Sequence, residues 1–478
     1  MSLPNYPEYK TSGVEWLGDV PGHWEVKPIK AVSTCNDAVL EESTSPDYEI
    51  EYIEISGVNA IRGISETTVI PFGNAPSRAR RRVTDGDVLV STVRTYLRAI
   101  APVTNPPTNM IASTGFAVIR PRHIEPSFLG FMFQAEFLIA EIIARSVGVS
   151  YPAINASDLM RLDMPIPTRE EQQTIAAFLD LETGKIDALI AEQRRLVELL
   201  AEKRQAVISH AVTKGLGTRH SRAGGNPAIQ TNPRSGQNRC PAPQEFSNQL
   251  DSRLRGNDGV VMKDSGIAWL GEVPEHWEVK RLKHISPFIT VGVVVNPSTF
   301  VSDEGFPFIY GGDIREGVID WVNSRRIDAE SSEANSKTRL KAGDLLTVRV
   351  GAPGITAVVP LECDGGNCAS VMLVRQGAFN SHWLCYAMNT RIVRFQVEVV
   401  QYGAAQEQFN ISHAVNFWTP TPSRDEQDEI VAYLDSETAK FDTLTAEANR
   451  AIELLQERRS ALISAAVTGK IDVREQQV

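Results

Sequence analysis

Residues 12–27 read SGVEWLGDVPGHWEVK, and residues 265–280 read SGIAWLGEVPEHWEVK. A second matched pair follows in the same order, PIPTREEQ at residues 165–172 and PTPSRDEQ at residues 420–427. The first pair is offset by 253 residues (12 to 265) and the second by 255 (165 to 420). Solenoid repeats have far shorter periods, about 20 to 50 residues. The chain therefore contains two copies of one large structural unit, an arrangement that suits a ligand with two half-sites.

The overall composition is typical of a soluble, cytoplasmic protein. The chain has 478 residues, 42% hydrophobic and 22% charged, which is enough for two to four domains with substantial cores. No apolar run reaches the length of a membrane span, and the N-terminus lacks the features of a signal peptide. Its five cysteines are odd in number and irregularly spaced, which favours reduced thiols over a disulfide framework.

The charge is unevenly distributed along the chain. The net charge of −11, taken alone, argues against a nucleic-acid ligand. Between Arg78 and Arg98, however, there are six arginines and only two acids, Asp85 and Asp87. Such a cluster can follow phosphates even on an acidic protein. The alternative is a solvated surface cluster without a ligand.

Each copy begins with a globular part of mixed secondary structure. Short β-rich runs, such as residues 51–55 and 344–348, alternate with turn signals. Helical stretches follow around residues 126–143 and 381–397. We therefore predict an α+β protein with two pseudo-symmetric globular α/β domains.

Each globular part is followed by a long helix. Neither residues 169–212 nor residues 424–467 contain a proline. Alternate steps of four and three residues place these side chains in one seam of the first helix: Ile186, Ile190, Gln193, Val197, Leu200, Arg204, Val207 and Ala211. The seam of the second helix is Phe441, Thr445, Ala448, Ile452, Leu455, Arg459, Leu462 and Ala466. Six of the eight positions are apolar in each, which predicts that the two helices pair as a coiled coil. The alternative is two amphipathic helices packed separately, each about 65 Å long.

These patterns predict five segments. They are a first globular domain at 1–168, a long helix at 169–214, a flexible linker or insertion at 215–261, a second globular domain at 262–423, and a second long helix with the C-terminal tail at 424–478. The linker is assigned because periodicity vanishes there and Gly, Pro, Ser and Asn become frequent.

Motifs of known catalytic sites are missing from the sequence. There is no Walker A loop, no glycine-rich dinucleotide fingerprint, no HExxH and no GxSxG. Cys363 and Cys368 lack a second pair of ligands for zinc. Residues 105–108 read NPPT, whereas adenine methyltransferases need an aromatic residue after the prolines to stack on the flipped base. We expect no catalytic site and no metal in this chain.

The duplicated openings and the duplicated Pro-x-Pro-x-Arg-x-Glu-Gln junctions, each ahead of a heptad helix, resemble the specificity (S) subunit of type I restriction-modification systems. The likeness covers nearly the whole chain except residues 215–259. It implies that each globular domain reads one half of a split DNA sequence and that the helices form an antiparallel coiled coil that sets the spacing. It also implies two modification (methyltransferase) subunits and restriction (translocase-nuclease) subunits as partners. S-adenosylmethionine, ATP and Mg²⁺ are then expected in those partners, with no cofactor in this chain.

The candidate DNA contacts are basic residues near predicted turns, together with side chains of two equivalent turns. In the first domain they are Arg78, Arg80, Arg81, Arg82, Arg94, Tyr96, Arg98 and Tyr151. In the second they are Arg325, Arg326, Lys337, Arg339, Lys341, Arg349, Gln406 and Gln408. A surface or salt-bridge role is the alternative for each arginine.

The candidate contacts with the modification subunits are Glu171, Gln172, Glu426 and Gln427, at the starts of the two long helices. Helix capping would explain the same residues.

Two other functions remain as alternatives. A scaffold whose duplicated domains bind proteins would explain the repeat and the coiled coil, but not the arginine clusters. A self-contained adenine methyltransferase would need the cofactor loop and the aromatic residue that the sequence lacks.

Overall fold

The computed structural model describes residues 4–59, 63–217, 260–401 and 407–475. The chain divides into two compact units, and each unit contains residues from both halves of the chain. Unit 1 comprises Met1–Leu196 with Glu447–Val478, and unit 2 comprises Val197–Ala446. The part of the predicted linker at 218–259 lies outside the described residues.

Unit 1 is built on two four-stranded sheets. Its strands are β1 (Tyr9–Thr11), β2 (Asp19–Pro21), β3 (Glu25–Pro28), β4 (Ser33–Cys35), β5 (Glu49–Ile53), β6 (Val58–Asn59), β7 (Gly63–Ile64), β8 (Thr68–Pro71), β9 (Ala79–Arg82), β10 (Val88–Ser91), β11 (Ile100–Pro102), β12 (Met110–Ser113), β13 (Phe116–Pro121) and β14 (Asp163–Ile166). One sheet has the order β11-β10-β13-β4 and the other the order β8-β5-β12-β9, in which β5 and β12 are parallel. The pairs β1-β2, β3-β14 and β6-β7 complete the unit.

The helices of unit 1 lie after the sheets in sequence. They are Pro126–Gln134, Glu136–Ala144 and Ala156–Leu159, followed by the first long helix, Arg169–Lys214, which belongs to unit 2 from Val197 onward. The first of them has proline in its opening turn, where the missing N–H costs nothing. Its apolar side chains, Phe128 and Phe133 among them, are fully buried in the core with strand residues such as Val88. No single helix among the described residues could span a membrane. The bent pair Pro126–Gln134 and Glu136–Ala144 meets the length and composition limits only jointly.

Unit 2 repeats this topology. Its strands are β15 (Met262–Asp264), β16 (Glu272–Pro274), β17 (Glu278–Arg281), β18 (Ile289–Val291), β19 (Phe306–Ile309), β20 (Ile314–Arg315), β21 (Val318–Ile319), β22 (Arg325–Ile327), β23 (Leu345–Thr347), β24 (Thr356–Val358), β25 (Asn367–Cys368), β26 (Met372–Val374) and β27 (Trp418–Thr421). The order β18-β26-β23-β24 matches β4-β13-β10-β11, and the parallel pair β19-β25 matches β5-β12. The fold class predicted from the sequence, two pseudo-symmetric α/β domains with two long helices, is confirmed.

The helices of unit 2 follow the same plan. They are Leu282–Ile285, Ala329–Ala334, Ser381–Asn389, Arg391–Val400 and Ile411–Ala414, followed by the second long helix, Arg424–Val467. Asn380 caps the Ser381–Asn389 helix by accepting hydrogen bonds from the His382 and Trp383 backbone N–H groups. Such a cap satisfies backbone donors that have no partner within the helix.

The two long helices run antiparallel within each unit. In unit 1, the guanidinium of Arg459 donates to the carboxylate of Asp187 at 3.0 Å. Farther along, Gly469 lies beside Trp24, whose indole faces Glu171 at the start of the first long helix. In unit 2, Arg204 of the first helix lies 3.6 Å from the carboxylate of Asp442 on the second. The arginine that interrupts each predicted seam therefore faces an acid of the opposite helix.

A buried ion pair fixes the turn that enters the central strand of each unit. Asp87 is fully buried and accepts two hydrogen bonds from Arg120, at 2.8 and 2.9 Å. Asp344 is equally buried and accepts from Arg375 at 2.5 Å. Each aspartate also accepts a backbone N–H three residues before it. The pair thus ties β10 to β13 and β23 to β26, because a buried carboxylate is tolerated only when paired and hydrogen-bonded.

Candidate nucleic-acid interface

Two loops of unit 1, residues 92–98 and 146–153, are joined by backbone hydrogen bonds. The Arg94 N–H donates to the Pro152 carbonyl at 2.7 Å, and the Ile154 N–H donates to Thr92 at 2.9 Å. Val147 and Ala153 close the second loop by exchanging two hydrogen bonds, at 2.9 and 3.0 Å. These reading loops, as we name residues 92–98 and 146–153, are therefore held in a defined conformation at the end of β10.

Arg94 combines an unusual backbone with a free guanidinium. Its φ is +51°, in the left-handed region that L-amino acids rarely adopt. The guanidinium carbon lies 4.8 Å from the centre of the Tyr151 ring. Within the described residues, this guanidinium forms no hydrogen bond or ion pair. Its donors are thus available to a ligand, and the ring orients them.

The reading loops also expose several apolar side chains. Val149 is completely exposed, with a relative accessibility of 102%, and Tyr151 is 65% exposed. Val147, Tyr96 and Leu97 are exposed as well. A clustered apolar patch of this kind marks an interaction site more often than scattered apolar residues do.

Arg98, the second left-handed arginine of the reading loops, has a partner within unit 1. Its φ is +53°, and its guanidinium donates to both carboxylate oxygens of Glu136, at 2.7 and 2.8 Å. Nearby, Arg145 pairs with Glu141 at 2.5 Å. Because each of these acids is neutralised by its own arginine, the positive charge of Arg94 is left uncompensated.

The arginines of the β9 region have diverse surroundings. Arg78 donates to the Tyr52 hydroxyl at 3.2 Å and pairs with Glu54; the Tyr52 hydrogen bond and this charge raise the pKa of Arg78. Arg80 lies over the Phe72 ring at 4.8 Å. Arg81 is half-buried, and its Nε atom has no hydrogen-bond partner among the described residues. Arg82 is exposed.

A single turn connects the β9 region to the reading loops. The Thr114 N–H donates to the Arg78 carbonyl at 2.7 Å, while the Gly115 carbonyl accepts the Thr92 N–H at 2.8 Å. The structure thus brings the β9 arginines and the reading loops to opposite sides of the same turn.

The candidate residues of unit 2 are more dispersed. The Arg325 guanidinium lies 4.3 Å from the centre of the Tyr310 ring, and the Arg349 Nε–H donates to the Phe409 carbonyl at 3.2 Å. Arg339 pairs with Glu333 at 2.6 Å. Four others are placed as follows: Arg326 is half-buried, Lys337 and Lys341 are exposed, and Gln408 forms a β-bridge with Val350. Gln406 lies outside the described residues.

The backbone of the reading loops recurs in unit 2 with different side chains. The Gly351 N–H donates to the Glu407 carbonyl as that of Arg94 does to Pro152. Gly351 has φ +89°, and Gly354, near the position of Arg98, has φ +96°. Glycine therefore stands in unit 2 at the position held by Arg94 in unit 1. The sequence contains a signal for this equivalence, because Arg94 and Gly351 each follow a matched Gly-Asp turn, at 86 and 343, by eight residues. The exposed Val149 was not among the predicted contacts.

The four predicted partner contacts form hydrogen bonds inside their own units. Glu171 is buried and accepts from His23 at 2.8 Å and from the Thr168 N–H at 3.2 Å. Burial raises the pKa of Glu171, but the hydrogen bonds from His23 and Thr168 outweigh it and leave the pKa below its ordinary value. Gln172 accepts from the Glu125 N–H at 2.8 Å.

The same contacts recur at the start of the second long helix. Glu426 accepts from the Trp277 indole at 2.9 Å, and Gln427 accepts from the Asn380 N–H at 2.8 Å. Capping and packing therefore explain these four side chains, and partner binding through them stays a prediction. Across the part of the chain that the structure describes, no group of three or more His, Cys, Asp or Glu side chains could hold a metal ion.

Comparison with known proteins places this architecture in a family. Residues 21–198 match the family model described as the type I restriction modification DNA specificity domain. Over this segment the chain resembles type I specificity subunits. It is 22% identical to the type I restriction enzyme EcoBI specificity subunit of Escherichia coli over 343 residues, 70% of this chain and 63% of that protein. It is 22% identical to the putative type I restriction enzyme MjaX specificity subunit of Methanocaldococcus jannaschii over 475 residues, 96% of each chain.

A solved structure supports the same fold. A chain from work on complex assembly and conformational transition of the type I R-M system aligns with a TM-score of 0.61 and 22% identity. The alignment covers 94% of this chain and 99% of that chain.

Proposed function

We propose that this chain reads a bipartite DNA target in the cytoplasm, with one half-site read by each unit, and directs the modification and restriction subunits to it. The observation that carries the proposal is the free, ring-oriented guanidinium of Arg94 on an exposed loop of unit 1. An arginine fork of this kind matches the O6 and N7 acceptors of guanine in the major groove. The exposed arginines of β9 would add phosphate contacts, which position the protein without reading sequence.

The target is asymmetric in this proposal because the two units carry different side chains on matching loop backbones. Gly351 cannot make the contacts available to Arg94, and Gly354 cannot replace Arg98. Two half-sites read through such different loops would differ in sequence.

Catalysis belongs to the partners in this proposal. Two modification subunits would use S-adenosylmethionine, and restriction subunits would use ATP and Mg²⁺, while this chain supplies sequence recognition alone. The paired long helices would keep the spacing of the half-sites constant, since a coiled coil resists bending.

The experiment uses the full chain purified with and without its modification subunits. Sequencing of host DNA methylation gives the target, and a duplex with that target is compared with a shuffled duplex. The complex should bind the target at least 1,000-fold more tightly, the lower bound of typical specific recognition. Equal binding to both duplexes would leave the protein-binding scaffold as the better explanation.

A second measurement tests whether the chain is catalytic by itself. The purified chain is incubated with the target duplex and labelled S-adenosylmethionine, without and with the modification subunits. Label should enter DNA only when those subunits are present. Incorporation by the chain alone would refute the assignment of catalysis to the partners.

A further inference from the structure

The tip of the second reading loop presents a valine on a fixed backbone. Residues 147–151 read VGVSY, and the two hydrogen bonds between Val147 and Ala153 close the loop. Gly148 has φ +119°, and a Cβ atom there would lie 3.1 Å from the Tyr151 carbonyl oxygen. The tight turn therefore depends on glycine, and it projects Val149 away from the unit.

Packing within unit 1 does not explain the position of Val149, because its side chain is fully exposed. Among the described residues of unit 1, Val149 is the most exposed large apolar side chain, and Val147, Tyr151 and Tyr96 on the same two loops are exposed as well. A single exposed valine is ordinary, but a patch built from two hydrogen-bonded loops indicates a ligand with apolar groups of its own.

The charges around the patch favour DNA as that ligand. Glu136 and Glu141 are paired with Arg98 and Arg145, and Arg94 remains uncompensated. An excess of positive charge beside an apolar tip complements the major groove, where phosphates flank the base edges. The apolar group that bases present there is the 5-methyl group of thymine.

We propose that Val149 contacts the 5-methyl group of a thymine in the half-site read by unit 1. This inference rests on the proposed function, because it assumes that the reading loops enter the major groove. It names a base whose contact gives one position of the target its sequence preference.

The test uses the complex of the full chain with its modification subunits, and a duplex that contains the target sequence found from host DNA methylation. Each thymine is replaced singly by deoxyuridine, which lacks only the methyl group. At one position the replacement should weaken binding about fourfold, the change expected for one methyl group returned to water. No such position in the wild-type complex would overturn the inference.

Two variants identify the side chain responsible. Val149→Ala should bind the thymine and deoxyuridine duplexes equally, because the alanine side chain no longer reaches the methyl group. Val69→Ala is the matched control, since Val69 is 60% exposed on β8 and should keep the wild-type preference. If Val149→Ala keeps the preference, Val149 does not contact the methyl group. Should the wild-type complex fail to distinguish the target from a shuffled duplex, the proposed function itself would fail.

Discussion

Replacing Arg94 separates the backbone strain at this residue from the role in DNA binding that we propose for its guanidinium. Its left-handed φ of +51° costs an L-amino acid roughly 1–2 kcal/mol, whereas glycine adopts the same conformation freely. Gly351 occupies the matching position of unit 2 with φ +89°, which shows that the loop backbone accepts glycine. Arg94→Gly and Arg94→Ala should therefore differ in stability but not in affinity.

The stability difference follows from the terms that change. Arg94→Ala keeps the strain and loses the contact with the Tyr151 ring, about 0.5–1 kcal/mol at an exposed site. Arg94→Gly loses the same contact but also releases the strain. The greater freedom of glycine in the unfolded chain offsets part of this gain, by about 0.5–1 kcal/mol. The glycine variant should thus have a free energy of unfolding about 0.5–1 kcal/mol higher than the alanine variant.

The affinity change should be common to both variants. A bidentate contact between an arginine and a base contributes about 1–3 kcal/mol of discrimination, so target affinity should fall roughly 5- to 150-fold. Arg98→Gly is the matched control. That residue is also left-handed, but both of its donor groups are bound to Glu136, so affinity should stay within about twofold of wild type.

Urea denaturation of the purified chain measures the stabilities, and titration of the labelled target duplex with the complex measures affinity. Wild-type affinity in both Arg94 variants would refute the role of this guanidinium in DNA binding. If the alanine variant is as stable as the glycine variant, the left-handed backbone at this position carries no strain.

Three further changes test the packing. Asp87→Asn should destabilise unit 1 by about 3 kcal/mol in urea, because it leaves the charge of Arg120 without its buried partner; a loss below about 1 kcal/mol would contradict this. Gly469→Ala should lower the melting temperature more than Gly215→Ala. Both have positive φ, but the new Cβ atom would lie 2.4 Å from a proline ring at 469 and no closer than 3.3 Å to a neighbour at 215; equal shifts would refute the clash. Glu171 has a lowered pKa, so its stabilisation is present above the pKa of an ordinary glutamate and is lost as pH falls through the lowered value. Glu171→Gln should therefore reduce the pH dependence of unfolding below the ordinary pKa of glutamate, and an unchanged pH profile there would contradict it.

The sequence predicted the large-scale fold because its signals are local and repeated. The duplicated openings identified two copies, and the Pro-x-Pro junctions marked the starts of both long helices, at Arg169 and Arg424. Proline stops the preceding strand, and the Thr168 cap then satisfies the first helical N–H groups. Such signals act over a few residues, which is why a single sequence reveals them.

Which segments of the chain come together in each unit could not be predicted in the same way. The end of the second long helix packs in unit 1, where Ile463 and Val467 are buried with Leu179. Both helices have nearly the same heptad pattern, so the sequence does not say which globular part each helix end will contact. That choice depends on tertiary packing between residues nearly 300 positions apart, about which local periodicity carries no information.

The sequence also could not predict which individual arginines pair with an acid. Arg94 and Arg98 are four residues apart, exposed and left-handed, yet only Arg98 finds a carboxylate. Its partner, Glu136, begins a helix distant in sequence, and its position depends on the packing of that helix against the short turn Thr95–Leu97. A count of basic residues therefore includes both arginines but does not separate the one that is free from the one that is paired.

The same comparison shows how two copies of one fold can carry different side chains on matching loops. The buried Asp87–Arg120 and Asp344–Arg375 pairs hold matching strands in both units, so the loop backbones that follow those strands keep the same shape. At a left-handed position, glycine is the unstrained choice, and an arginine there lowers stability by about 1 kcal/mol unless it forms new contacts. Under the proposed function, the contact of Arg94 with DNA would offset that strain. Unit 2, with Gly351 at the matching position, would then read its half-site through other side chains.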